Sequence, residues 1–222
     1  MGKLAGVKPT SLDHVALWVA DRDRIADFAT AHLGMHVIER TERFTLVGSD
    51  ARRGKLTLFE AEGPREPGAL GRIGLRVSDI AAARAALPAG TEDVFDVGEG
   101  LRLTLVEGPT DVEYDLDHVA LLSHDPEAAA HAWLDYGFSP AGPTRVQVGG
   151  AFLELHEGDP GDPERPLLNH LSVLVDAAAP AQELGVEVAD VVDAPNTFAV
   201  FVWGPDRVKL EYVEHKSSFS LS

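Results

Sequence analysis

Residues 13–17 read Asp13-His14-Val15-Ala16-Leu17, and the same five residues return unchanged as Asp117-His118-Val119-Ala120-Leu121. Looser copies stand at Asn169-His170-Leu171-Ser172-Val173 and at Gly71-Arg72-Ile73-Gly74-Leu75. A pattern that recurs along a chain marks one supersecondary unit used repeatedly, so this repeat fixes the architecture. Each copy opens as a strand. An acid follows each time, at Asp21, Asp79, Asp125 and Asp176, and then an alanine-rich run, as expected where a helix is capped after a short strand. Asp125-Pro126-Glu127 is the clearest helix start, with Pro at the first helical position. Gly34, Gly137 and Gly185 read as helix stops.

Short alternating stretches follow each helix. The last strand of every copy is recognisable by its shape: Lys55-Leu56-Thr57-Leu58, Arg102-Leu103-Thr104-Leu105, Phe152-Leu153-Glu154-Leu155 and Lys209-Leu210-Glu211-Tyr212. Each unit therefore reads βαβββ. Turn-rich, polar breaks fall at 63–68, around Gly108-Pro109-Thr110 and at 158–163. The middle break divides the chain into two halves, 1–109 and 110–222, of two units each.

Composition narrows the chemistry. With 222 residues and 45% hydrophobic content the chain can bury a full core. It has no cysteine, so disulfides, thiol nucleophiles and thiolate ligands are all excluded. A metal site must then use imidazole, carboxylate and water, which suits zinc, nickel, iron, manganese or magnesium. A formal charge of -17 argues against nucleic acid or an anionic membrane as partner. No stretch resembles a secretory leader or a membrane span, so a cytoplasmic protein is expected.

The repeats and the closing stretch Gly204-Pro205-Asp206-Arg207-Val208-Lys209-Leu210-Glu211-Tyr212-Val213-Glu214 resemble the vicinal oxygen chelate superfamily, which includes glyoxalase I, extradiol ring-cleaving dioxygenases and bleomycin-resistance proteins. The resemblance covers nearly the whole chain. It implies an α+β fold in which βαβββ modules pair into curved, half-open mixed sheets with helices outside. It also implies a divalent metal (Zn, Ni, Fe(II) or Mn) held by residues of the first and last strands of a module. The match is best at His170, followed by Asp176, and at Glu211.

Strand parity supports the same residues. His170, Ser172 and Leu174 share one face, and the apolar Leu171, Val173 and Val175 share the other, which packs on helices. The histidine is left on the concave side, where Glu211 also points. In the third unit His118 and Glu154 do the same. Pairing of units one with two and three with four is expected, giving one metal set of His118, Glu154, His170 and Glu211 in the C-terminal half. The corresponding residues of the other half are His14, Thr57, Arg72 and Thr104, so His14 is expected to be structural or vestigial. Glu60 and Glu107 fall on the opposite face. His156 shares the face of Glu154 as a substitute ligand or base. His32, His36, His124 and His131 are expected at the surface, and Phe201 and Trp203 as core or pocket-wall aromatics.

The resemblance implies a small-molecule substrate with two adjacent oxygens, and a second copy of the chain as the candidate protein partner. Three functions compete. A glyoxalase-I-like isomerase or lyase would use all four ligands, with Glu154 or Glu211 as the catalytic base. An extradiol dioxygenase would hold Fe(II) with His118, His170 and Glu211. Against it, the places of that family's helper His and Tyr read Val148-Gly149-Gly150 and Phe201. A ligand-sequestering protein of the bleomycin-resistance kind would need no metal. The isomerase or lyase leads among these readings.

Overall fold

The computed structural model describes residues 7–222. The first unit is β1 (Ser11–Val19), α1 (Arg22–His32), β2 (His36–Arg40), β3 (Phe44–Gly48) and β4 (Lys55–Glu60). The second is β5 (Leu70–Val77), α2 (Ile80–Ala86), β6 (Val94–Asp96) and β7 (Arg102–Glu107). The third is β8 (Asp115–Ser123), α3 (Pro126–Trp133), β9 (Ser139–Gly142), β10 (Arg145–Val148) and β11 (Ala151–Glu157). The fourth is β12 (Leu168–Leu174), a 3-10 turn (Ala179–Glu183), β13 (Val188–Asp193), β14 (Thr197–Trp203) and β15 (Lys209–His215).

The three α-helices start where the acids stand. Asp21, Asp79 and Asp125 accept from the backbone N–H of Arg24, Ala82 and Ala128, the N-cap bond that satisfies an otherwise orphaned amide. Two units depart from the expected pattern. In the second, Leu87-Pro88-Ala89-Gly90 ends the helix and forms a loop where a further strand is expected. Pro88 bars its predecessor from the helix, and Gly90 sits at φ +83°. In the fourth, a helix begun at Asp176 would meet Pro180, which has no N–H to give the Asp176 carbonyl, and only the 3-10 turn forms.

The strands make two mixed, open sheets, which is the α+β arrangement the repeats point to. One runs β13-β14-β15-β12-β1-β4-β3-β2 and the other β6-β7-β5-β8-β11-β10-β9. The first thus joins units one and four, through antiparallel β1 and β12, and the second joins units two and three, through antiparallel β5 and β8. This corrects the sequential pairing: each half of the chain gives one unit to each sheet. Neighbouring units within a half meet through their helical sides instead. Phe28 of α1 lies against Phe95, and His32 Nδ1 donates to the Ala86 carbonyl. Behind α3, the Tyr136 hydroxyl donates to the Trp203 carbonyl and the Tyr212 hydroxyl to the Tyr136 carbonyl. The repeat dictates which strand positions pair. It does not dictate which copies pair, because any two copies offer the same strand edge.

The apolar sides of both sheets and the helices share one buried cluster, which includes Val15, Leu17, Leu75, Val119, Leu171, Val173 and Tyr212. No helix among the described residues is long and apolar enough to cross a membrane.

Candidate metal centre

The register of the first sheet brings the repeat-equivalent residues of units one and four together. Across β1 and β12, His14 faces Ser172 and Ala16 faces His170. On the flanks, Thr57 of β4 faces Ala16 and Glu211 of β15 faces Ser172. Parity then directs His14, Thr57, His170 and Glu211 onto the concave side. His14 Nε2 lies 3.1 Å from His170 Nε2 and 3.2 Å from Glu211 Oε2, and His170 Nε2 lies 3.4 Å from the same oxygen. Among the described residues this is the one group of three His, Asp or Glu side chains close enough to share an ion.

The chemistry of these contacts is informative. Asp13 is ionised: burial pushes its carboxyl up, but Lys55, His14 and His215 together hold it far below the usual carboxylate range. An ionised carboxylate only accepts, so the 2.7 Å contact between His14 Nδ1 and Asp13 Oδ1 puts the ring proton on Nδ1. His170 Nδ1 likewise donates to Asn169 Oδ1 at 3.1 Å. Burial lowers the His170 pKa from its ordinary 6.5, against the pull of Glu211, so that ring is neutral. Burial pushes Glu211 up, yet His14 and His170 hold it below its ordinary value, so it is ionised. The neutral His170 ring, with its proton on Nδ1, turns a bare Nε2 toward the ionised Glu211, and His14 Nε2 points at the same place. Glu211 Oε2 and the neighbouring Ser172 Oγ are buried without a hydrogen-bond partner. A divalent ion about 2.1 Å from three ligand atoms at right angles would set them about 3.0 Å apart, close to the spacing seen. The residues fit a metal.

A local irregularity provides the supporting shell. The register of β1 against β12 shifts between Leu12 and His14, and again where Ala16 gives way to Leu17 opposite 168–170. These β-bulges fall at Asp13 and Asn169 and re-aim side chains that simple alternation would send to the other face. Both residues reach back to the Nδ1 of the following histidine, which fixes the tautomer that frees Nε2. Asp13 also pairs with buried Lys55 at 2.8 Å, and His215 Nε2 stands 3.0 Å from Asp13 Oδ2, off the line of a good hydrogen bond.

The second sheet repeats the geometry with different residues. The equivalent positions are Arg72, Thr104, His118 and Glu154, and a bulge again brings Asp117 to His118 Nδ1, at 2.9 Å. Here Arg72 Nη2 donates to Glu154 Oε2 at 3.2 Å, while His118 Nε2 stands 3.8 Å from it. A guanidinium thus occupies the place of a ligand and of the cation together. His118 sits against Gly74, where a Cβ would fall 2.3 Å from the ring.

The expected four-residue set is therefore split. His170 and Glu211 stand together in the first sheet with His14, whereas His118 and Glu154 stand in the second with Arg72. His14, expected to be vestigial, is the residue that completes the first cluster. His156, half exposed, approaches Glu154 at 3.5 Å and shares its ion-pair group. His124 is exposed beside Asp159, and Glu60 and Glu107 are solvent-side as expected. Phe201 and Phe59 wall the first cluster, with ring centroids 5.0 and 6.3 Å from that of His170. Asp13, Lys55 and His215 went unnoticed in the sequence. The signal for Asp13 was present, as Asp or Asn precedes His in three of the four copies, but strand alternation directed it away.

Comparison with known proteins agrees with this architecture. A search of curated proteins found no match. Among solved structures, a "putative dioxygenase" from Bacillus subtilis superposes with a TM-score of 0.75 at 18% identity, covering 96% of this chain and 87% of the other. Glyoxalase I from Zea mays gives 0.68 at 14% identity, covering 92% of each chain. The cppA protein from Streptococcus pneumoniae gives 0.63 at 14% identity, covering 94% of this chain and all of the other. At these identities the likeness is one of fold. The family model for the Glyoxalase/Bleomycin resistance protein/Dioxygenase superfamily matches residues 11–212, and the chain belongs to that superfamily.

Proposed function

We propose that the chain is a metalloenzyme that holds one divalent ion with His14, His170 and Glu211 and acts on a small molecule carrying two adjacent oxygens. The observation that carries this is the convergence of His14 Nε2, His170 Nε2 and Glu211 Oε2 within 3.4 Å of one another in a buried place. Bound there, an ion supplies Lewis acidity toward adjacent oxygens and, as Fe(II), one-electron chemistry toward dioxygen.

The ligand count bears on the reaction. Thr57 stands where a fourth, carboxylate ligand would come from, and Glu154 is engaged by Arg72 in the other sheet. Two imidazoles and one carboxylate on one face leave the opposite side open, an arrangement suited to ring cleavage of a dihydroxylated aromatic. Among the described residues no second carboxylate joins His14, His170 and Glu211 as a ligand, so glyoxalase-like proton transfer would have to take Glu211, the one carboxylate ligand, as its base. The ring-cleaving reading therefore moves ahead of the isomerase. Phe59 and Phe201 pack beside His170, and Trp18 against Phe59, so planar apolar surface lies next to the triad, which favours a flat substrate. One feature favours the isomerase as second reading: Phe201, where the extradiol enzymes carry a Tyr, can neither give nor take a proton.

The test is oxygen uptake by Fe(II)-reconstituted protein over a small catechol panel, alongside turnover of an α-hydroxycarbonyl adduct in protein loaded with Zn or Ni. Catechol-dependent uptake that disappears in E211Q is expected. Turnover of the adduct without oxygen uptake would restore the isomerase.

A further inference from the structure

We infer that the substrate carries an anionic group, a carboxylate, on the side of its ring away from the triad, and that Lys209 reads it. The inference rests on the metal-site reading above. Lys209 precedes Glu211 by two residues on β15, so both side chains lie on the concave side, about 7 Å apart along the strand. That is the span of one six-membered ring and a substituent.

Lys209 lines a cavity of about 310 Å³ together with Trp18, Trp203, Asn169 and Arg207. Asn169 holds the Nδ1 of His170, so this cavity adjoins the triad. Trp203 pairs with Lys209 across β14 and β15, and Lys209 Nζ lies 5.1 Å from its ring centroid, with Arg207 at 4.8 Å. Among the described residues no carboxylate forms an ion pair with Lys209, although the chain has 36 acidic residues from which to supply one.

The charges around it do not cancel this cation from within. Asp162, Glu164 and Asp206 on the cavity rim are all exposed and screened by solvent. Lys209 itself is half-buried, where its field is screened less. A half-buried ammonium facing an aromatic-walled space, with no counter-ion of its own, suits a ligand carboxylate.

The test compares catechol with 3,4-dihydroxybenzoate on Zn-loaded protein, reading quenching of Trp18 and Trp203 fluorescence and metal content in parallel. One charge-assisted contact should make the carboxylate probe bind about tenfold tighter. K209M should reduce that ratio toward one with metal content unchanged, K209R should keep it, and K209E should invert it. Binding of metal and both probes without discrimination, or a preference that survives K209M, would overturn the role of Lys209 and leave the metal site standing. Failure of the protein to take up metal would overturn the metal reading, and the inference with it.

Discussion

Replacing Asp13 with asparagine separates the charge of this residue from its shape. The amide can still accept from His14 Nδ1, so the perturbation falls on the ion pair with Lys55, whose side chain is 4% exposed and that of Asp13 1%. A buried ion pair that loses one partner leaves the other charge stranded in low dielectric, at a cost of about 3–5 kcal/mol. D13N should therefore lose about that much stability, two to three and a half orders of magnitude in the folding equilibrium. The assay is urea denaturation of metal-free protein, with an unchanged slope showing that the denatured state is comparable. Removing the stranded charge should restore part of the loss, so the double variant D13N/K55M should be more stable than D13N alone. Zn affinity should fall about 10- to 100-fold, because the carboxylate also orients and polarises His14. A loss below about 1 kcal/mol, or a double variant less stable than D13N, would refute the buried-pair reasoning.

R72H should complete a second cluster of two imidazoles and a carboxylate with His118 and Glu154, raising bound Zn from one to two per chain by elemental analysis. Y212F should cost about 1–2 kcal/mol in the same urea assay, because its buried hydroxyl donates to the Tyr136 carbonyl, which loses that donor. The His170 pKa is lowered by burial from 6.5, so the unfolded chain takes up the proton first as pH falls. Its contribution to stability is full above pH 6.5 and lost as pH drops from there through the folded-state value. Denaturation midpoints across that window should fall in the native protein and fall less in H170Q.

The fold was legible because the repeat is strong. Aspartates at regular places cap the helices, and alternate apolar residues mark the helix-facing side of each first strand, so unit boundaries and the concave face follow from local chemistry. Which copies meet did not follow. Antiparallel pairing of first strands is satisfied equally by units one and two or by one and four, and the contacts that go with the observed pairing, Phe28 on Phe95 and Tyr136 on the fourth unit, are long-range and leave no periodic signal. His170 and Glu211 were legible from the resemblance of the opening and closing strands, with parity placing both on the concave face. His14 looks isolated beside Thr57, Arg72 and Thr104 of its own half, because its partners come from the fourth unit. Asp13 was hidden by the bulge, which breaks the alternation on which the parity argument depends.

A metal site built by units one and four needs His14 and His170 and does not need His118. Elemental analysis of Zn-reconstituted protein tests it directly, with H14A, H170A and H118A compared at equal folded concentration. One Zn per chain is expected in the unmodified protein and in H118A, and none in H14A or H170A. Retention of the metal in H14A with its loss in H118A would contradict it.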